Sequence, residues 1–198
     1  SIINIPNSSG SLTINGGGKS VNVVTLNTGK IDISNNSGIT LKAEQASDSL
    51  NLVSNGTVTV SEAAAVTGNI TLSAIGTIDL QDVRSAAGKL ALENLRALPG
   101  SDITISNASS AKSVDIKSAG AVTASSNNGL KSAESISITA AENSNIIALG
   151  NTAKAVSLNA INQSNSEVVY EINIGGMDTL ALGGSAPIFI NTSGDNLN

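Results

Sequence analysis

Residues 69–80 read NITLSAIGTIDL, in which apolar and polar residues alternate on both sides of a central glycine. Residues 49–60 (SLNLVSNGTVTV) and 113–124 (SVDIKSAGAVTA) follow the same template, and the copies that begin at residues 49 and 69 lie 20 residues apart. Alternation is typical of a strand with one buried and one solvated face. A repeat of this length indicates units that obtain a core only by stacking on one another. The sequence therefore predicts an all-β fold, a right-handed parallel β-helix (β-solenoid) with about 20 residues per rung.

Small residues and insertions complete the predicted rung. Residues 63–66 (AAAV) and 83–87 (VRSAA) recur between the alternating strands, and we expect them to form a third side of a triangular coil. The segments 93–100, 125–134 and 162–167 lengthen the sequence between strands. These three segments are predicted to be corner insertions that protrude from the rod.

The spacing changes near the C-terminus. Residues 1–169 are predicted to form the regular rungs. After them, the apolar doublets that begin at Ile172, Leu180 and Ile188 are only eight residues apart. Residues 170–198 are therefore expected to continue the solenoid with an altered rung length, as part of the same domain.

The aromatic residues and the methionine all lie in this C-terminal stretch. Tyr170, Met177 and Phe189 are the only Tyr, Met and Phe of the chain, which contains no Trp. Large apolar residues concentrated in one region are typical of contact surfaces. We predict that they widen the coil or form an interface with a neighbouring module or a second copy.

The composition favours a thin, narrow core. Apolar residues make up 40% of the 198 residues, which argues against disorder, but nearly all of them are aliphatic or small. No apolar run approaches the 18 residues or more that a membrane-spanning helix needs. The chain begins with Ser and has no leader segment, so we expect it to be part of a longer, exported protein.

The charge and the missing residue types exclude several functions. The net charge is −5, with ten basic and fifteen acidic residues, and no basic run occurs, which disfavours nucleic-acid binding. Since the chain contains neither Cys nor His, disulfides, thiol nucleophiles and Ser-His-Asp triads are excluded. We predict that the chain is not an enzyme.

The β-helical polysaccharide lyases and hydrolases deserve separate comparison, because they share the predicted architecture. Such enzymes need clustered charged groups in a cleft and usually aromatic sugar platforms. Here Asp79 is expected to stack between Thr59 and Thr123 rather than beside another carboxylate, and aromatic residues are nearly absent. This arrangement supports the prediction of a non-catalytic protein.

Two carboxylates form the candidate metal site. Glu62 and Asp82 each follow a strand by two residues and lie 20 residues apart, so stacking places one directly beneath the other. Two carboxylates in contact repel unless a cation lies between them, and calcium prefers hard oxygen ligands. The sequence thus predicts a possible calcium ion as the cofactor at this pair, with two solvated corner carboxylates as the alternative.

Three segments carry a family resemblance: SVDIKSAGAVTAS (113–125), AKAVSLNAINQS (153–164) and DTLALGGSAPIFINTSGDNLN (178–198). In composition and period, most of the chain resembles the β-helical portion of Gram-negative surface-layer (S-layer) proteins. The resemblance implies a secreted subunit of a paracrystalline coat on the bacterial cell surface. Such a subunit binds other copies of itself and lipopolysaccharide, commonly with calcium.

The filamentous-haemagglutinin type of adhesin is a close alternative. Its repeats also read as two φ-x-φ strands around a glycine, as residues 69–80 do. This second resemblance implies a secreted fibre that binds a host receptor or a surface glycan. A phage tail fibre is a third class, although such solenoids usually trimerise through an apolar exterior stripe that is not visible here.

Overall fold

The computed structural model describes most of the chain in sixteen ranges. These ranges are 2–4, 11–18, 21–35, 38–41, 44–60, 63–65, 68–81, 83–94, 101–106, 108–110, 112–124, 130–132, 134–148, 154–161, 167–174 and 177–192.

Within these ranges every regular element is a strand. The strands are β1 (Ile2–Asn4), β2 (Ser11–Asn15), β3 (Val21–Asn35), β4 (Gly38–Leu41), β5 (Glu44–Ser54), β6 (Thr57–Val60), β7 (Ala63–Ala65), β8 (Ile70–Ala74), β9 (Ile78–Leu80), β10 (Val83–Ser85), β11 (Lys89–Asn94), β12 (Ile103–Ile105), β13 (Ala108–Ser110), β14 (Ser113–Ser118), β15 (Val122–Ala124), β16 (Leu130–Lys131), β17 (Ser135–Ala140), β18 (Ser144–Ala148), β19 (Ala155–Ala160), β20 (Val168–Ile174), β21 (Thr179–Gly184) and β22 (Ile188–Thr192).

The strands stack in parallel as a β-solenoid, and the predicted fold class is confirmed. Each strand pairs with the strand about 20 residues further along the chain, so that Ile70 lies opposite Leu90 and Val58 opposite Ile78. In parallel ladders the backbone N–H and C=O groups of one rung are satisfied by the next rung. The backbone of each rung thus depends on its neighbours.

Three sides make up the coil. The first side contains β1, the start of β3, and then β4, β6, β9, β12, β15, β18, β20 and β22. The second side contains β2, the ends of β3 and β5, and then β8, β11, β14, β17, β19 and β21. The third side contains residues 26–28 of β3, residues 44–46 of β5, and then β7, β10, β13 and β16.

The third side confirms the expectation from the small-residue stretches. Ala63–Ala65 pairs with Val83–Ser85, which pairs in turn with Ala108–Ser110. After β16 the described strands belong to the first and second sides alone. The doublets eight residues apart are explained by this change, because Ile172, Leu180 and Ile188 lie on alternating first and second sides with no described third-side strand between them.

The core lies inside the coil and follows the alternation. The side chains of Ile70, Leu72, Ile78 and Leu80 are completely buried, whereas that of Thr71 is exposed. Every apolar residue at these inward positions from Leu50 to Leu158 is buried in the same way; the core of this region is Leu50, Leu52, Val58, Val60, Ile70, Leu72, Ile78, Leu80, Leu90, Leu92, Ile103, Ile105, Val114, Ile116, Val122, Ile136, Ile138, Ile146, Val156 and Leu158. The narrow aliphatic core predicted from the composition is present.

The glycine of the repeat template lies at a tight corner. The backbone N–H of Gly76 donates a hydrogen bond to the carbonyl oxygen of Gly56 in the preceding rung at 2.9 Å. A Cβ atom at Gly76 would lie 3.0 Å from that oxygen, so the two rungs meet too closely for a side chain. The buried Ser54 stabilises the same corner, since its Oγ accepts the N–H of Gly56 at 3.0 Å.

A buried asparagine closes the base of the insertion between β11 and β12. The side chain of Asn94 is completely buried, and its Nδ2 donates to the carbonyl oxygen of Ser101 at 3.1 Å. Its Oδ1 accepts the backbone N–H of Ala119 in the following rung at 3.1 Å. Both polar groups of the side chain are therefore satisfied, as burial requires. The insertion itself, residues 95–100, lies outside the described residues.

Candidate functional site

The C-terminal end of the coil is the place where the regular burial stops. The last rung consists of β21 on the second side and β22 on the first side. Among the described strands, β21 pairs with β19 alone and β22 with β20 alone. Each of these two strands therefore has one paired edge and one edge that no described strand covers.

The inward positions of this last rung are incompletely covered. Leu182 lies opposite Leu158, yet 54% of Leu182 is exposed whereas Leu158 is completely buried. Leu180, Ile188 and Ile190 also pack against the core and are only partly buried. The apolar interior of the coil thus reaches the surface at this end.

Phe189 adds a second apolar feature on the outside of the coil. It lies in β22 between the inward residues Ile188 and Ile190, opposite the half-buried Val169 of β20, and 57% of it is exposed. Met177 is partly buried and packs against the core. The predicted interface residues Met177 and Phe189 are therefore both found at the last rungs, with Phe189 on the exterior.

Tyr170 requires a correction, because the structure places it inside the coil. Its side chain is completely buried, and its hydroxyl donates a hydrogen bond to the backbone carbonyl oxygen of Asn159 at 2.6 Å. Burial raises the pKa of the Tyr170 phenol well above its usual value, and a backbone hydrogen bond with Ala140 acts in the opposite direction. Tyr170 is thus a core residue one rung from the open end and not part of an exterior face.

The predicted calcium pair, Glu62 and Asp82, lies outside the described residues. The strands that follow the two carboxylates have the register that the prediction assumed, since Ala63 lies opposite Val83. Among the residues that the structure describes, no three His, Cys, Asp or Glu side chains are grouped so that they could hold a metal ion.

Asp79 is surrounded by threonines, but the identity of one neighbour differs from the prediction. Asp79 lies opposite Thr59 on one side and Thr104 on the other, and Thr104 in turn lies opposite Thr123. The insertion after Asn94 adds residues between these strands, so the strand at 103–105 supplies a rung that period counting alone had omitted. The neighbours of Asp79 in the ladder still carry no second carboxylate.

One ion pair crosses the second side between neighbouring rungs. Lys89 Nζ lies 2.8 Å from Asp115 Oδ2, and Lys89 is opposite Ser113 in the ladder. The two side chains are partly exposed, at 44% and 22%. A partly exposed pair of this kind contributes modestly to stability, and its charges are already matched.

Leu182 is the residue that sequence reasoning missed. The alternation of β21 marks Leu180 and Leu182 as inward residues, so the pattern alone predicts burial. Exposure follows from the absence of a described rung beyond β21, which no local pattern contains. The signal was therefore positional, namely an inward doublet in the last repeat.

Comparisons of the chain with protein-family models, with curated proteins and with solved structures gave no match. In the ranges given above, the structure contains no helix with the length and apolar character needed to cross a membrane.

Proposed function

We propose that this chain is a structural, non-catalytic building block of a bacterial surface layer, secreted to the cell surface and assembled by self-association. The observation that supports the proposal best is the uncovered last rung, where Leu182 is 54% exposed at a core position. Burial of apolar surface is favourable, and completing the burial of one leucine contributes about 1 kcal/mol. A β-solenoid is compatible with this role.

The unpaired strand edges support the same proposal. Edges of sheets are ready templates for pairing with another chain, and natural proteins usually cover or charge them. The inward positions of β21 and β22 carry Leu180, Leu182, Ile188 and Ile190 rather than charged residues. An end of this kind favours association over a solitary rod.

Calcium and lipopolysaccharide belong to the proposal as partners of the assembled layer. Calcium would bind at Glu62 and Asp82, where a cation relieves the repulsion between stacked carboxylates. Lipopolysaccharide would hold the layer on the cell. The alternative function is that of a secreted adhesin, in which the sides of the rod bind a host receptor or glycan.

Sedimentation at several protein concentrations tests self-association. We expect the average mass to rise with concentration, and Leu182→Ser to reduce this rise because it removes exposed apolar surface. Ala181→Ser is the matched control, since Ala181 is also exposed on β21 but occupies the opposite face of the strand. A strictly monomeric species at every concentration, with calcium and with chelator, would refute the proposal.

Electron microscopy with and without calcium distinguishes the two functions. A surface-layer subunit is expected to form two-dimensional sheets, and calcium is expected to promote them if Glu62 and Asp82 bind it. Isolated fibres in both conditions would instead favour the adhesin. Glu62→Gln combined with Asp82→Asn should remove the calcium dependence without preventing folding, because both changes conserve side-chain size.

A further inference from the structure

The two ends of the described coil have corresponding free edges. At the N-terminal end, β1 on the first side and β2 on the second side each pair with β3 alone among the described strands. At the C-terminal end, β22 on the first side and β21 on the second side likewise have one partner each. Each end therefore presents one strand of the first side and one of the second, and all ladders of the coil are parallel.

A single aliphatic column connects these ends through the second side. It begins at Ile14 in β2 and ends at Leu182 in β21. The residues between them are at most 1% exposed and are Ile33, Leu52, Leu72, Leu92, Ile116, Ile138 and Leu158. Ile14 is only partly buried and Leu182 is largely exposed, so the column is incomplete at both ends.

We infer that two copies of the chain associate head to tail, with β21 of one copy pairing with β2 of the next and β22 pairing with β1. In this arrangement Leu182 of one copy stacks on Ile14 of the next, which continues the column in its existing register. The inference rests on the proposed self-association and specifies its geometry. The second copy is the fitting occupant because the contact repeats the rung-to-rung interface that already holds the coil together.

The geometry of this contact predicts open-ended growth. A head-to-tail contact uses different surfaces on the two copies and generates linear assemblies unless the rotation closes a ring. A contact through the exterior Phe189 would be of another kind, because a two-fold arrangement of that residue closes at a dimer. Continued growth with concentration, rather than a plateau at two copies, is expected.

Disulfide crosslinking tests the register directly, since the chain contains no cysteine. Ala181 precedes Leu182 and Thr13 precedes Ile14, so the inferred stacking puts Ala181 opposite Thr13 of the next copy. Paired strands lie about 4.8 Å apart, which falls within the Cα separation of about 4.4–6.8 Å that disulfides span. A mixture of the Ala181→Cys and Thr13→Cys proteins is therefore expected to form a mixed disulfide dimer on oxidation.

A matched variant controls for random collision. Ser157 lies opposite Ala181 in β19, one strand further from the end. Ser157→Cys mixed with Thr13→Cys would place the sulfurs two strand spacings apart, about 9.6 Å, and no mixed disulfide is expected. Unchanged circular dichroism and tyrosine absorbance would show that the three variants are folded.

The possible failures are distinguishable. If the chain associates but Ala181→Cys and Thr13→Cys give no mixed disulfide, the head-to-tail register is wrong while self-association stands. Association that is lost in Phe189→Ser and retained in Leu182→Ser would also overturn this geometry, in favour of the exterior contact. A monomer at every concentration would overturn both the register and the proposed function.

Discussion

A middle rung and the last rung of the coil place leucines at the same inward position of the second side, but only the middle rung buries them. Leu72 in β8 is completely buried, whereas Leu182 in β21 is 54% exposed. Both residues belong to alternating strands with small or polar outward neighbours. The alternation determines which way a side chain points, and the neighbouring rungs determine how much of it is buried. In a stacked fold, stability and association therefore depend on the same contacts.

Truncation of the two leucines gives the largest difference between these rungs. Leu72→Ala is expected to lower the free energy of unfolding by about 2–5 kcal/mol, because it leaves a cavity in a packed core. Leu182→Ala should cost about 1 kcal/mol or less, since much of its side chain is already solvated. Urea unfolding at a concentration where the chain is monomeric measures both values. Equal losses would mean that the end of the coil is as well covered as its middle.

Tyr170 tests how firmly the last rung covers the core. Its pKa is raised by burial above the unfolded value of about 10, so the folded state favours the neutral phenol. The associated stability is present below pH 10 and is lost as the pH rises above it, by about 1.4 kcal/mol per pH unit. Tyr170→Phe removes this dependence and also the hydrogen bond to Asn159, which should cost about 0.5–1.5 kcal/mol at neutral pH.

The alkaline experiment compares the unfolding free energies of the two proteins between pH 8 and pH 11. Lysines titrate in the same range, so the difference between wild type and Tyr170→Phe is the informative quantity. Tyr170 is the only tyrosine, and its ultraviolet absorbance therefore reports its ionisation directly. Ionisation near pH 10 in the folded protein, with no stability difference, would show that the last rung opens readily.

Much of the fold could be predicted from the sequence because β-alternation and stacking act locally and repeat. The inward direction of Leu72 and Leu80, and the third side at residues 63–65, follow from pattern and period alone. The pairing of Asp79 with Thr104 could not be predicted by counting, because the insertion at 95–100 interrupts the period. A register that is shifted by an insertion depends on where the chain re-enters the ladder.

The candidate site was less predictable, for a related reason. Tyr170 is in phase with the buried Val168 and Ile172, so the alternation already indicated an inward ring. Its position among the few large residues suggested an interface instead, which gave composition more weight than phase. Leu182 shows the reverse case, since its phase is inward and its exposure depends on the missing neighbour. Phase predicts direction reliably, whereas burial at an end depends on what covers it.

The smallest expected effect concerns two ion pairs, one in a middle rung and one near the last. Lys89 Nζ lies 2.8 Å from Asp115, with side chains 44% and 22% exposed, whereas Lys154 and Asp178 are 3.6 Å apart and more than 60% exposed. A better-packed pair loses less side-chain entropy and is screened less by salt. A double-mutant cycle with Lys89→Met and Asp115→Asn is expected to give a coupling of about 0.2–1 kcal/mol.

For the exposed pair, the corresponding cycle with Lys154→Met and Asp178→Asn should give a coupling close to zero, because solvent and mobile ions screen both charges. Both cycles are measured by urea unfolding at low and at high salt. The Lys89–Asp115 coupling is expected to shrink only in part at high salt, since its carboxylate is mostly shielded from solvent. A larger coupling at Lys154 and Asp178 would contradict the comparison, because it would mean that the end of the coil holds its side chains more rigidly than the middle.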